Sequence, residues 1–169
     1  RGGRGDVQVR DAGRSWGAGG GPVRRGAWAL RGRGGARHRP ARRWRGERFG
    51  GLARLLAARG LAPVIVGTAG EADLATIIRA ACPEAVDLTG RTSLTELAGL
   101  AARATLAVGN DTGPMHLAAA MGCPSTVLFS RDSDPARTAP QGRAPWQVRV
   151  LRVDDLALLS VERVAASVA

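Results

Sequence analysis

The sequence predicts an α/β fold in which a parallel β-sheet is covered by helices on both faces. From Glu47 onwards, short apolar segments of the strand type alternate with amphipathic segments of the helix type. One strand-type segment, 63–66, is continuously apolar, as is typical of a strand buried on both faces. Because the carboxyl ends of parallel strands meet at one edge of the sheet, ligands of such folds bind there. Polar residues directly after each predicted strand are therefore the candidates for contact with a ligand.

Apolar residues recur at helical spacing in two segments and predict the core-facing sides of two helices. They are Phe49, Leu52, Leu55 and Leu56 in the first segment, and Leu74, Ile77 and Ile78 in the second. We expect the first helix to end at Gly60 and the second before Pro83. Ser93 and Glu96 have the spacing of a capping box, which predicts the start of a further helix over 94–103.

The remaining elements follow from shorter patterns of apolar residues and chain breakers. They are strands at 26–32, 63–66, 85–88, 104–108, 125–129 and 148–153, helices at 114–121 and from about 161, a basic loop at 33–46 and a polar loop at 130–146.

The length and the motif content exclude several classes of protein. A chain of 169 residues is long enough for one domain with a core and too short for two ordinary ones. It contains no apolar run long enough to cross a bilayer, no visible signal peptide, no dinucleotide fingerprint, no P-loop and no nucleophile elbow. Cys82 and Cys123 each precede a proline and lack metal-ligand spacing, so we expect reduced, semi-buried thiols of a cytosolic protein.

The positive charge is confined to the beginning of the chain. Residues 1–48 carry the whole net charge of +11, and the rest of the chain is balanced. Residues 1–25 are rich in Arg and Gly and are predicted to be disordered or non-native, whereas 26–169 are predicted to form the folded domain. One hypothesis makes this arm an electrostatic tether for nucleic acid, although it holds few aromatic residues to stack on bases.

A polar turn lies at the junction between the strand 104–108 and the helix after it. Thr112 is a plausible N-cap, Gly113 lets the backbone approach a ligand, and Pro114 fits the first helical turn. The amide groups and the helix dipole favour an anion such as phosphate. Asp111 would be repelled by that anion and is better suited to accept hydrogen bonds from sugar hydroxyls, while His116 lies one turn on and can face the same crevice. An ordinary capped turn with a satisfied histidine remains the alternative.

Several motifs in one register resemble glycosyltransferase family 9, the lipopolysaccharide heptosyltransferases, and the likeness runs over roughly residues 30–165. The motifs are the turn at 111–116 and the segments 34–44, 47–49, 66–67 and 87–94. The chain resembles the carboxyl-terminal half of such a protein. The resemblance implies a two-domain GT-B fold, in which an amino-terminal domain takes the acceptor and a Rossmann-like carboxyl-terminal domain takes the nucleotide-sugar donor.

The resemblance also implies a reaction and roles for single residues. The reaction is the inverting transfer of heptose, or a related sugar, from an ADP-activated donor to the lipopolysaccharide core, with the ADP-sugar as substrate and with no cofactor and no metal. The turn Thr112, Gly113, Pro114 would cradle the diphosphate, Asp111 would contact the sugar hydroxyls, and His116 would lie close to the same group.

Three loops after predicted strands, 67–71, 89–92 and 110–114, would outline the crevice. By resemblance, Arg42 stands where the family has a lysine that neutralises the charge of the leaving group, and arginine keeps that charge with a different shape. Glu71 would accept a hydrogen bond from the ribose, or would simply be a solvated residue at a helix start. The backbone near Thr92 would border the adenine.

Two departures from the family pattern limit what is expected of this chain. Arg33 and Arg45 replace prolines, and the amino-terminal domain, with its acceptor pocket and general base, is not among these residues. We therefore expect the isolated chain to be catalytically silent or nearly so, and an inactive truncated remnant is a further alternative. The resemblance implies a cytoplasmic protein, with peripheral association at the inner face of the bacterial inner membrane as an option.

Overall fold

A computed structural model describes residues 26–30 and 43–168, the first of these ranges as backbone alone. The strands are β1 (Gly26–Leu30), β2 (Ala62–Val66), β3 (Val86–Asp87), β4 (Leu106–Asn110), β5 (Ser125–Phe129) and β6 (Val148–Arg152). The helices are α1 (Gly46–Ala58), α2 (Ala72–Ala81), α3 (Leu94–Ala101), α4 (Gly113–Ala120), α5 (Pro135–Thr138) and α6 (Val161–Ser167), with 3₁₀ turns at Ala69–Glu71 and Leu156–Leu158.

The six described strands form one parallel sheet in the order β3-β2-β1-β4-β5-β6. Ala29 of β1 pairs with Ile65 of β2 on one side and with Val108 of β4 on the other. The strand order therefore reverses between β1 and β4, which is the position where open α/β sheets bind their ligands. The predicted parallel α/β fold is confirmed.

Helices cover both faces of the sheet. Helix α1 packs against α2 and α6 on one face, around a core that includes the fully buried Trp44 and Phe49. Helices α3 and α4 pack together on the other face, above a core that includes Met115. Leu128 belongs to the first core and its neighbour Phe129 to the second, because successive side chains of a strand point to opposite faces.

Strand β4 starts two residues later than predicted and ends two residues later. Its start is delayed because the amide of Ala104 still donates to the carbonyl of Leu100 at the end of α3 (3.1 Å). Its end is extended because Gly109 and Asn110 find partners in β5. The polar turn therefore begins directly at the carboxyl end of a strand that is buried along its whole length.

Two predicted core residues are exposed. Leu55 and Ile77 lie on the outer margins of α1 and α2, whereas Ala53 and Ala75 are buried in their place. Each exposed residue lies three positions after a buried leucine, Leu52 or Leu74. Three residues of an α-helix rotate the direction of the side chain by about 300°, so the exposed side chain points about 60° away from that leucine. The buried stripes are accordingly narrower than the apolar pattern suggests.

The segment 130–146, predicted as a polar loop, contains the one-turn helix α5. The carboxylate of Asp134 accepts a hydrogen bond from the amide of Ala136 (3.1 Å), and Pro135 occupies the first turn. This combination of an Asp cap and an early proline is a helix-start signal that the sequence carries.

The capping box predicted for α3 is confirmed. The Ser93 hydroxyl accepts from the amide of Glu96 (3.3 Å), and the Glu96 carboxylate accepts from the amide of Ser93 (2.7 Å). The hydrogen bonds that the Ser93 amide and hydroxyl donate to this carboxylate hold the pKa of Glu96 below its usual value, because they favour its charged form. The resulting support for α3 is present at neutral pH and is lost as the pH falls through the folded-state pKa of Glu96.

Replacing Ser93 by Ala is expected to lower the free energy of unfolding by about 0.5–2 kcal/mol, because the α3 amide loses its cap. Urea denaturation followed by circular dichroism measures this loss. Thr95→Ala, at an exposed position inside the same helix, serves as the control and should be neutral or slightly stabilising. Equal losses in the two variants would contradict the capping role.

Both cysteines are free and buried, rather than semi-buried as predicted. Burial raises the pKa of the Cys123 thiol to about 12 and also raises the pKa of Cys82, so both are neutral thiols at physiological pH. In the part of the chain that the structure describes, no helix combines the length and apolar character needed to cross a bilayer.

Candidate functional site

The turn between β4 and α4 places Asp111 and Thr112 at the carboxyl edge of the sheet. The amide of Asp111 donates to the carbonyl of Leu128 (3.2 Å), which continues the pairing with β5 by one residue. Thr112 then has the extended backbone of an N-cap, as predicted, and its side chain is buried. The Thr112 hydroxyl, however, donates to the carbonyl of Asn110 (3.2 Å) and makes no capping bond to α4.

The start of α4 lacks a side-chain cap. Ser93, Asp134 and Ser160 each accept a hydrogen bond from an amide of the helix that they precede, whereas α1, α2 and α4 begin without such a bond. At α4, in addition, a Cβ built on Gly113 would meet no atom within 4 Å. The space beside Gly113, at the positive end of the helix dipole, is therefore open, as an anion site requires.

The Asp111 carboxylate lies beside this helix start, and each of its two oxygens has one polar neighbour. Its Oδ1 lies 3.8 Å from Nε2 of His116, and the two side chains are 19% and 49% exposed respectively. Its Oδ2 accepts a hydrogen bond from the hydroxyl of Thr138 (3.1 Å). The structure therefore brings Asp111, Thr112, Gly113 and His116 together, as the sequence predicts, and Pro114 lies in the first turn of α4.

Thr138 is a residue of this cluster that sequence reasoning missed. It lies at the end of α5, far from Asp111 along the chain, within a segment predicted to be a polar loop. The Asp134–Pro135 start signal could have revealed the helix. Nothing in the local sequence shows that this helix ends beside Asp111.

Glu71 and Thr92 lie on two neighbouring loops after β2 and β3. The amide of Gly90 donates to the carbonyl of Gly67 (2.8 Å), which joins the two loops. The Glu71 carboxylate accepts from the amide (2.8 Å) and the hydroxyl (3.0 Å) of Thr68, so one of its oxygens serves the start of a 3₁₀ turn. Glu71 therefore has the helix-start role given above as the alternative. Its contact with a ribose stays a prediction. Thr92, two residues after Gly90, is half-buried.

Arg42 lies outside the described residues, between Leu30 and Trp44 along the chain. Leu30, the last residue of β1, pairs with Gly109 of β4. The amide of Trp44 donates to Oδ1 of the buried Asn110 (3.2 Å), directly before Asp111. The indole of Trp44 donates in turn to the carbonyl of Leu159 (2.8 Å). The described residues Leu30 and Trp44 therefore both contact the strand that leads into the Asp111 turn.

A parallel sheet whose strand order reverses, with polar residues beyond its strand ends, defines a broad class of α/β proteins that bind ligands at that edge. Comparison with known proteins narrows this class. The sequence model of glycosyltransferase family 9 (heptosyltransferase) matches residues 34–158, which is most of the chain. The chain belongs to this family.

Individual relatives agree with this assignment. Lipooligosaccharide heptosyltransferase 2 of Haemophilus influenzae is 38% identical over 122 residues, which cover 69% of this chain and 35% of the relative. The solved E. coli ADP-heptose lipopolysaccharide heptosyltransferase II superposes with a TM-score of 0.72 and 28% identity, over 85% of this chain and 45% of that one. The E. coli heptosyltransferase WaaC with ADP gives a TM-score of 0.72 and 25% identity, over 85% and 43%.

The chain thus spans about a third of its curated relative and less than half of each solved structure. Its sheet corresponds to part of the GT-B fold of those enzymes, as the resemblance implies.

Proposed function

We propose that this chain forms the donor-binding part of an inverting heptosyltransferase that uses an ADP-activated heptose, or a related sugar, and the lipopolysaccharide core as acceptor. The observation that carries the proposal is the uncapped start of α4 with the Asp111 carboxylate beside it. Family membership and the ADP named with one solved relative support a nucleotide sugar as the ligand. We expect the ADP-sugar to be a substrate, with no cofactor or metal in the chemical step, and the protein to act in the cytoplasm.

In this proposal the two features of the turn bind different parts of the donor. The amides at the start of α4 bind the diphosphate, and the helix dipole stabilises the negative charge that grows on it as the glycosidic bond breaks. Arg42 would add a positive charge to the same leaving group. Asp111 accepts hydrogen bonds from hydroxyls of the sugar, a role that suits a carboxylate with one oxygen facing His116 across 3.8 Å.

The nucleoside would extend along the same edge towards β2 and β3. There Glu71 is proposed to accept from the ribose with the carboxylate oxygen that does not bind Thr68, and Thr92 to border the adenine. The acceptor hydroxyl attacks the anomeric carbon, and the base that takes its proton is proposed to come from the amino-terminal domain of the family. We accordingly expect no transfer by these 169 residues alone.

Asp111→Asn is expected to weaken the binding of ADP-heptose by about tenfold and to leave ADP binding unchanged or tighter. The amide keeps the shape of the side chain but removes the charge that strengthens its hydrogen bonds to hydroxyls, and it also removes the repulsion towards the diphosphate. Isothermal titration calorimetry of the full chain with each ligand measures both effects. We expect the parent chain to bind ADP with a dissociation constant of about 1 mM or tighter.

Glu162→Gln is the matched control, since it neutralises an exposed carboxylate in the first turn of α6 and should change neither affinity. Absence of ADP binding by the parent chain would refute the donor-binding role. An unchanged affinity of Asp111→Asn for ADP-heptose would refute the assignment of Asp111.

The two alternatives receive no support from the fold or from the comparisons. The nucleic-acid tether depends on residues 1–25, which lie outside both the described residues and the segment matched by the family. The inactive remnant predicts a sheet edge that binds no nucleotide, and the same titration with ADP tests it.

A further inference from the structure

We infer that Thr138 is a positioning residue that orients the Asp111 carboxylate towards the donor sugar. This inference rests on the proposed function, because it assigns a task to Asp111 in binding the sugar. The observation behind it is the hydrogen bond from the Thr138 hydroxyl to Oδ2 of Asp111, at 3.1 Å. The bond connects two elements that leave the sheet from different strands, α4 after β4 and α5 after β5.

Helix α5 is built to hold Thr138 in place. A single helical turn is marginal by itself, because few hydrogen bonds offset the cost of ordering it. Here the Asp134 carboxylate caps the turn at the amide of Ala136, and the carbonyl of Asp134 accepts from the amides of Arg137 (3.0 Å) and Thr138 (3.1 Å). Thr138 is thus fixed through its own backbone.

The hydroxyl proton of Thr138 has two acceptors within reach. The carbonyl of Asp134 lies at 3.2 Å and the Asp111 carboxylate at 3.1 Å. A hydroxyl carries one proton, and hydrogen bonds to an ionised acceptor are about twice as strong as those between neutral groups. The bond to Asp111 is therefore the favoured one.

The consequence for Asp111 is a fixed orientation of its two oxygens. Oδ2 is engaged by Thr138, and Oδ1 faces His116 at a distance too long for a hydrogen bond. The Asp111 side chain thus presents Oδ1 as the oxygen that accepts from a sugar hydroxyl. Pre-ordering of this kind lowers the cost of binding, because the side chain does not lose rotational freedom when the sugar arrives.

A double-mutant cycle tests the inference with the full chain, with ADP and ADP-heptose as ligands. Thr138→Val removes the hydroxyl and keeps the shape. It is expected to weaken ADP-heptose binding by about five- to tenfold and to leave ADP binding unchanged. Thr138→Ser restores the hydroxyl and should return the affinity to within about twofold of the parent. In the Asp111→Asn background, Thr138→Val should cause no further loss, because Thr138 acts through the carboxylate.

Four outcomes overturn the inference, and one of them also overturns the proposed function. Equal weakening of ADP and ADP-heptose would show that α5 has only a structural role. Full additivity with Asp111→Asn would show that Thr138 does not act through Asp111. If the parent chain binds neither ligand, the proposed function fails as well, whereas normal ligand binding by Thr138→Val would refute the positioning role alone.

Discussion

Replacing Trp44 by Ala is expected to lower the free energy of unfolding by about 3–5 kcal/mol. Trp44 is fully buried, and its ring meets that of Phe49 edge to face, with the centroids 4.8 Å apart and the planes at 77°. Its indole donates to the carbonyl of Leu159. Truncation leaves a cavity between α1 and the segment before α6 and removes the ring contact.

Urea denaturation measures the change, and two further variants show where it comes from. Trp146→Ala removes a tryptophan that is 74% exposed and should change the stability by no more than about 0.5 kcal/mol. Trp44→Phe keeps an aromatic ring but lacks the N–H donor. Its cost should be well below that of Ala, because Arg48 also donates to the carbonyl of Leu159 and keeps it paired. A phenylalanine variant as unstable as the alanine variant would contradict the cavity as the main cause.

Gly90→Ala is expected to lower the free energy of unfolding by about 2–5 kcal/mol and to weaken ADP binding. Gly90 has φ of +70°, a conformation that L-residues adopt at a cost of about 1–2 kcal/mol. A Cβ would also lie 2.9 Å from Cα of Ala69, within the loop that leads to Glu71. Relieving this clash must separate the two loops that carry Glu71 and Thr92, and overpacking of this kind costs a further 1–3 kcal/mol, roughly.

Gly60→Ala provides a matched control for the backbone conformation alone. Gly60 has φ of +79°, and a Cβ there would meet no atom within 4 Å. Its alanine variant should therefore lose only about 1–2 kcal/mol and bind ADP normally. If Gly90→Ala and Gly60→Ala lower the free energy of unfolding equally and bind ADP equally well, the contact with Ala69 affects neither stability nor ADP binding.

Local patterns in the sequence were sufficient for most elements. The bounds of β5 are as predicted, because Pro124 and the polar segment after Phe129 delimit a strand buried over its length. The N-cap position of Thr112 and the capping box of Ser93 are also local features, encoded within four residues. The parallel sheet then brings polar residues from successive strand ends to one edge without any further information.

The features that sequence reasoning missed depend on contacts between distant residues. The partner of Asp111 is Thr138, and the partner of the Trp44 amide is Asn110, and neither pairing has a local signature. Thr112 shows the same limit at short range. Its type and place predict that its hydroxyl oxygen accepts from an amide of α4, yet the hydroxyl makes no capping bond and only donates to the carbonyl of Asn110. Whether an amide points at that oxygen is decided by backbone geometry that residue types alone do not specify.

The central place of β1 in the sheet has a consequence for the order in which the strands can pair during synthesis. β1 can pair with β2 soon after synthesis, but its second neighbour, β4, is the stretch 106–110 and emerges much later. Until then, a nascent chain keeps one edge of its central strand unpaired, which is the kind of surface that recruits other chains. Between the emergence of β2 and that of β4, the second edge of β1 is thus open to pairing with a strand of another chain.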